Sequence, residues 1–254
     1  MSYSYVLKLN SRDSNYKNIT TNPIQIDLGN SGNSLVQRIV IKGASIPHVF
    51  YNVNATNNIL KFRDSESHYT FTWPVGQYTI TSFINAFNNE FTGSIGLTCS
   101  LNQLTNKLEF LSGYRTYTFE SNGSTCFSII GLRPTEDFFM VNTAPLGNSL
   151  LFMPDLSGIR NVYIETNFSS MHCLDSKGFH SYGGFVPVDV PFGSIIHYIN
   201  QEANLNDINR SKVYSQNLSK VEVILRDVNG NILDLQNQPF ELTFHIIAAH
   251  TQDL

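Results

Sequence analysis

Val221-Glu-Val-Ile-Leu-Arg226 runs into Asp227-Val-Asn-Gly-Asn231, and Ile232-Leu-Asp-Leu235 leads through Pro239 to Phe240-Glu-Leu-Thr-Phe-His-Ile246. Val221, Val223 and Leu225 alternate with Glu222, Ile224 and Arg226. Phe240, Leu242, Phe244 and Ile246 likewise fall on one side of a period of two, the spacing of a half-buried strand. Asn229-Gly230 between them supplies two positions that tolerate positive φ, so a type I′ hairpin is expected there. Antiparallel β structure is the first conclusion.

Upstream, the same alternation recurs between Gly, Asn, Ser and Pro punctuation. Tyr5, Leu7 and Leu9 open the chain, Ile24, Ile26 and Leu28 follow Asn22-Pro23, and Leu35 to Gly43 carries Ile39 and Ile41 on one face. Ile59 to Arg63 and Tyr69 to Trp73 precede a turn at Pro74-Val75-Gly76. Later strands are expected at Phe138 to Val141, Leu150 to Met153, Val162 to Ile164, Phe185 to Val190 and Ile195 to Ile199. Met171 to Gly184 and Asn200 to Ser211 read as loops.

One stretch changes period. Ile80, Phe83, Ile84, Phe87 and Phe91 have helical spacing, with Thr79 placed to cap the start and Gly93 to close the end. A hairpin follows, from Leu97 to Leu101 and from Lys107 to Phe110 across Gln103-Leu104-Thr105-Asn106. With a strand over Tyr114 to Phe119 and a helical turn over Phe127 to Leu132, residues 69 to about 135 form a small α+β unit. More than ten short strands around one such unit predict a sandwich of two antiparallel sheets. Long connections favour Greek-key or jelly-roll topology over a meander, while jelly roll and immunoglobulin-like sandwich both stay open.

Only 14% of the residues are charged, against roughly a quarter in ordinary soluble domains. Asn, Ser and Thr take the place of the missing charges. A surface poor in charge loses less hydration when it meets another protein surface; the plainer reading is a compositional habit that favours Asn. The net charge is −4 and the basic residues are scattered singly, which argues against a nucleic-acid site. No signal peptide and no transmembrane segment are expected. Cys99, Cys126 and Cys173 are an odd number at wide spacing, which fits a reducing compartment better than a disulfide framework. Sequons such as Asn18-Ile19-Thr20 and Asn167-Phe168-Ser169 follow from the abundance of Asn and Ser.

No hydrolase elbow, zincin, Walker or dinucleotide motif occurs. The densest reactive cluster is His172-Cys173-Leu174-Asp175 with His180 beyond it. His172, Cys173 and His180 offer metal-ligand chemistry, but no second ligand pair stands out, and a polar loop is the simpler reading. Cys173 as a nucleophile lacks a recognisable base. Alternation turns His245 away from the apolar face of the last strand, with His250 near its end. Glu136-Asp137 and Asp189 are isolated acids, so neither a glycosidase pair nor a calcium cage can be built from them. No catalytic, metal or cofactor residue is therefore assigned, and no cofactor is expected. The 12 Tyr, 18 Phe and single Trp suit either buried cores or the aromatic platforms of a glycan-binding module.

The run from Val221 to Ile246 resembles the end of minor capsid (penton) proteins of virophages, polinton-like viruses and related large DNA viruses. The residues that match in order are Asp227, Gly230, Asp234, Leu235 and Phe240. Ser45-Ile46-Pro47 with Tyr51-Asn52-Val53 is similar to a segment near their N-termini. Gly76-Gln77-Tyr78-Thr79 and Ile129-Ile130-Gly131-Leu132 are similar to a mid-chain module of the same proteins. The resemblance implies an all-β, single jelly-roll domain over 1–68 and 136–254, with the α+β unit at 69–135 inserted between two of its strands. It also implies a structural virion protein without enzymatic activity. Five copies would close an icosahedral vertex, in contact with the major capsid protein and other minor capsid proteins, after assembly in the host cytoplasm. The alternative is a β-sandwich attachment module that binds a receptor or glycan, and a metal-dependent hydrolase on a jelly-roll scaffold is the third reading.

Overall fold

The computed structural model describes residues 2–13, 22–27, 34–113, 115–140, 147–167, 172–175, 178–181, 184–200, 210–216 and 220–250. The elements in chain order are β1 (Ser2–Asn10), β2 (Ile24–Asp27), β3 (Ser34–Pro47), β4 (Ile59–Arg63), β5 (His68–Thr72) and α1 (Ile80–Phe91). Next come β6 (Leu97–Leu101), β7 (Leu108–Ser112), β8 (Thr118–Glu120), α2 (Phe127–Ile130), β9 (Phe138–Phe139) and β10 (Asn148–Ser149). The remainder is β11 (Asn161–Thr166), β12 (His172–Asp175), β13 (Gly178–Ser181), β14 (Gly184–Pro187), β15 (Ile195–Ile199), β16 (Arg210–Gln216), β17 (Lys220–Arg226) and β18 (Glu241–His250). They form two compact units: Met1–Phe50 with Ile159–Leu254, and Tyr51–Gly158. The division falls at 50/51 and 158/159 rather than at 68/69 and 135/136.

In the first unit one sheet runs β1-β18-β3-β15, with β16 also on β3, and the other runs β14-β11-β17-β2. Numbered as eight successive strands, with the separate β12-β13 pair left out and β15 and β16 sharing one position, the sheets read first-eighth-third-sixth and fifth-fourth-seventh-second. Early and late strands interleave in both sheets, which is jelly-roll topology. All these pairings are antiparallel. Val221, Val223 and Leu225 of β17 face inward beside Val162 and Ile164 of β11, and Leu242, Phe244 and Ile246 of β18 meet them from the other sheet.

The pattern of β3 explains a kink. The residues it gives to the sandwich core are Ile39 and Ile41, then Ala44 and Ile46, so the inward parity changes from odd to even. Thr243 pairs with Gly43 and Phe244 with Ile41, which leaves Lys42 as the extra residue of a bulge. Without that bulge, one half of β3 would turn its apolar side chains to solvent.

The Asn229-Gly230 turn differs from expectation in type and in place. The Gly230 N–H donates to the Asp227 carbonyl at 3.1 Å, and the Asp227 N–H to the Asn231 carbonyl at 2.9 Å. Gly230 alone takes a positive φ, 83°, so the loop is a three-residue turn closed by a left-handed glycine and not type I′. The buried Asp227 carboxylate accepts from the Asn229 and Asn231 N–H groups at 2.8 and 2.9 Å. The two adjacent positive φ values lie at Gln236 and Asn237, where the Gln238 N–H donates to the Leu235 carbonyl at 2.8 Å. Moreover β17 and β18 lie in opposite sheets. Residues 227–240 are thus a crossover between sheets, with one bridge, Arg226 to Ile232, and no closing hairpin.

The second unit holds the sheets β5-β4-β8-β9 and β10-β7-β6 with both helices. Here β4 joins the inserted unit because Leu60 and Phe62 complete its aromatic core. Trp73 stacks on Phe83 with ring centroids 4.3 Å apart and 5° between planes, and its indole N–H donates to the Phe83 carbonyl at 3.0 Å. Phe62, Phe71, Phe87, Phe91, Phe110 and Phe119 join them, most edge to face, beside aliphatic residues such as Leu97, Leu108 and Ile130. Helix α1 starts where its spacing predicts, with Thr79 and Ser82 forming a reciprocal capping box. Its end differs. Thr92 is the C-cap in right-handed geometry, and the left-handed glycine comes later, at Gly96. Leu150 to Met153, expected as a strand, is irregular beyond β10, and its Phe152 N–H donates to the Gly131 carbonyl at 2.9 Å. A Cβ on Gly131 would lie 2.2 Å from the Phe152 carbonyl oxygen, so only glycine fits there. At the unit's two ends, Gly158 packs against Asn52, as an insertion into a loop requires.

Candidate interaction surfaces

The expected reactive cluster resolves into a hairpin rather than the loop expected over Met171 to Gly184. Strands β12 and β13 pair with Cys173 opposite His180 and His172 opposite Ser181, while 171, 176–177 and 182–183 lie outside the described residues. The loop expected from Asn200 to Ser211 lies largely outside them too, and β16 begins at Arg210. The side chains of His172, Cys173 and His180 lie outside those described, and among the described ones no group of three His, Cys, Asp or Glu is placed to hold a metal.

The other candidates are scattered. Cys99 and Cys126 are buried in the second unit with no disulfide, and burial pushes both thiols up, away from the reactive thiolate. Asp137 accepts from the Ser121 N–H and hydroxyl at 2.8 and 2.9 Å, contacts that lower its pKa. Glu136 sits 3.3 Å from Arg133, and Asp189 is exposed. His245 is half-buried on the outer side of β18, opposite Val6 and Val40, while the His250 backbone ends that strand. No two of these acids share a site.

Asn, the most conspicuous polar residue in the composition, has a structural task. An Asn side chain carries the donor and acceptor of a peptide group, so it can pair with one residue's N–H and C=O at once. Asn22 does so with Leu225 at 2.9 Å in both directions, and donates again to the Leu233 carbonyl at 2.8 Å. Asn52 pairs in the same way with Tyr78, at 2.9 Å both ways, and donates to the Leu156 carbonyl. Asn88 on α1 pairs with Cys99 at 2.8 and 2.7 Å, filling the ladder positions that β6 leaves open toward the helix. Asn167 spans the Lys220 carbonyl and the Glu222 N–H. These amides extend sheets without adding charge. At the buried Asn22 and Asn52 they satisfy backbone groups that would otherwise cost about 1–3 kcal/mol each.

The exposed apolar side chains point to contact surfaces. Among the described residues β15 pairs with β3 on one edge and with no strand on the other, and its sequence Ile-Ile-His-Tyr-Ile has no Lys, Arg, Asp or Glu. Ile195 and Ile199 are 50% and 72% exposed. Edge strands in solitary proteins are usually guarded by charge, proline or a bulge. In the second unit Leu151, Phe152 and Met153 are consecutive and exposed, on a segment pinned to Gly131 and, through the Asp155 N–H, to the Ile129 carbonyl at 2.8 Å. The glycan-platform idea finds less here. Trp73 is buried, and among the described side chains the Tyr residues are buried or half-buried while Phe139, Phe152 and Phe192 are exposed. No helix is long and apolar enough to cross a membrane among the described residues.

No family model and no curated protein matches the chain. Among solved structures, the cryo-EM structure of the Sputnik virophage contains a chain similar at 10% identity with a TM-score of 0.44, covering 99% of this chain and 98% of that one. The crystal structure of the mavirus penton protein superposes with a TM-score of 0.53 at 10% identity, over 97% of this chain and 99% of the other. The chain therefore has the fold of the mavirus penton protein along nearly its whole length.

Proposed function

We propose that this chain is a structural capsid protein that forms a homopentamer at the vertices of an icosahedral shell. The observation that carries the reading is the likeness to a penton protein over 97% of the chain, a span that includes both units. The low charge and the uncharged, isoleucine-bearing edge of β15 support association with other protein surfaces. The function is geometric rather than catalytic: a head-to-tail interface closes into a ring of five when each copy is rotated by a fifth of a turn. Its partners are four further copies, the surrounding major capsid protein and other minor capsid proteins, and its location is the virion after assembly in the host cytoplasm. Class averages of the purified full-length chain should show fivefold rings. A strict monomer or trimer at high concentration, with no binding to capsids, would overturn the proposal.

A further inference from the structure

The chain contains two Asn-Gly pairs, Asn122-Gly123 and Asn229-Gly230, and the structure treats them oppositely. Asn-Gly is the dipeptide most prone to spontaneous amide loss, because glycine offers no side chain to hinder ring closure. The reaction begins when the glycine amide nitrogen gives up its proton and attacks the Asn Cγ. A C–N bond forms, the bond from Cγ to Nδ2 breaks, ammonia leaves, and a succinimide remains. Water then opens either carbonyl, which leaves aspartate or isoaspartate. Two local features govern the rate: whether the glycine N–H is engaged, and whether nearby charge favours its deprotonation.

At Asn229-Gly230 the glycine N–H is engaged and a carboxylate adjoins, while the Arg226 guanidinium donates to the Gly230 carbonyl at 2.8 Å. The Gly230 N–H donates to the Asp227 carbonyl at 3.1 Å, and the Asp227 carboxylate lies within 2.8 Å of the Asn229 nitrogen. An anion at that distance disfavours a second negative charge on the adjoining amide. At Asn122-Gly123, between β8 and α2, the glycine N–H is unengaged and a cation adjoins it, with the Asp137 carboxylate one residue further back on Ser121. Neither residue makes a hydrogen bond among the described residues, and both are exposed. The Lys61 ammonium lies so close to Gly123 that a Cβ there would sit 2.6 Å from Nζ. A cation in that position stabilises the deprotonated amide that starts the reaction.

We infer that Asn122 is the chain's site of spontaneous deamidation, giving Asp or isoAsp in the inserted unit, while Asp227 protects Asn229. The product adds a negative charge on the loop that Lys61 packs against, or a kinked backbone where isoAsp forms.

The test is peptide mapping of the full-length chain after incubation at mildly alkaline pH, reading the amide-to-acid mass gain and isoAsp at both sites. In the native protein Asn122 should convert several-fold faster than Asn229, and the difference should vanish in denaturant. Lys61→Gln should slow Asn122 several-fold and leave Asn229 unchanged. Asp227→Ala should release Asn229, in material whose circular dichroism remains native. Equal rates in the folded chain, or a difference that persists in denaturant, would overturn the inference.

Discussion

The two units solve the burial problem with different side chains. The jelly roll is filled by Val, Ile and Leu on alternating strand positions, with Phe240 and Phe244 near its end. The inserted unit is filled by a cluster of rings built on two small sheets and a helix, with Trp73 and Phe83 at one side and Phe110 and Phe119 at another. Branched aliphatic chains suit flat, half-buried strand faces, where a stiff χ1 costs little. Rings cover more area per residue and prefer edge-to-face geometry, so a small body with short strands can close a core around them. The lesson is that core chemistry follows the length of the strands available.

The sharpest way to test that separation is to damage one core at a time. Phe62→Ala and Phe244→Ala each remove a fully buried ring and should cost about 3–5 kcal/mol within their own unit. Calorimetry should show two transitions, with Phe62→Ala lowering one and Phe244→Ala the other. A single transition shifted equally by both variants would show that the units melt together.

A smaller effect is expected where an amide replaces the ladder. Asn22→Ala removes three hydrogen bonds and leaves the buried Leu225 N–H without its acceptor, so it should destabilise the jelly roll by roughly 2–3 kcal/mol in urea denaturation. The corresponding Asn88→Ala change, at a half-buried site, should cost about 1–2 kcal/mol in the inserted unit alone.

The smallest effect is an acid dependence of the inserted unit. The Asp64 carboxylate, buried by its contacts, accepts from Arg115 at 2.5 Å and from the Glu66 and Ser67 N–H groups at 2.8 and 2.7 Å. The Arg115 contact, against the opposing effect of burial, lowers its pKa from 3.8 to about 2, and the two backbone donors add to it. A depressed carboxylate stabilises the folded form fully above pH 3.8, and that contribution fades as the pH falls toward 2. Arg115 is half-exposed, so solvent screening keeps the effect modest. Asp64→Asn should flatten the acid limb of the inserted unit's stability curve and leave that of the jelly roll unchanged.

Much of this is legible in the residues. The spacing of Ile80, Phe83, Phe87 and Phe91 locates α1, and Thr79 its start, because helix period and capping are local properties. Strands such as Ile195–Ile199 and Ile59–Arg63 follow from alternation, for the same reason. Leu150 to Met153 misleads, since a run of apolar residues reads as strand whether it is buried or displayed. The Asn pairs were illegible. Asn22 and Leu225 are 203 residues apart, and nothing local to either marks the other as its partner. The β15 edge was equally hidden, because exposure of Ile195 and Ile199 depends on which strands sit beside them.

By itself the sequence determined that Val221 to Ile246 alternates, that Gly230 turns the chain, and that the structure is antiparallel β with one capped helix. Only the tertiary structure decided that β17 and β18 belong to opposite sheets, that β4 belongs to the insertion, and that Asp227 ties a crossover turn. The physical reason is that a period of two specifies which face of a strand avoids water. It leaves open which partner supplies the cover, and that choice depends on packing among residues far apart in the chain.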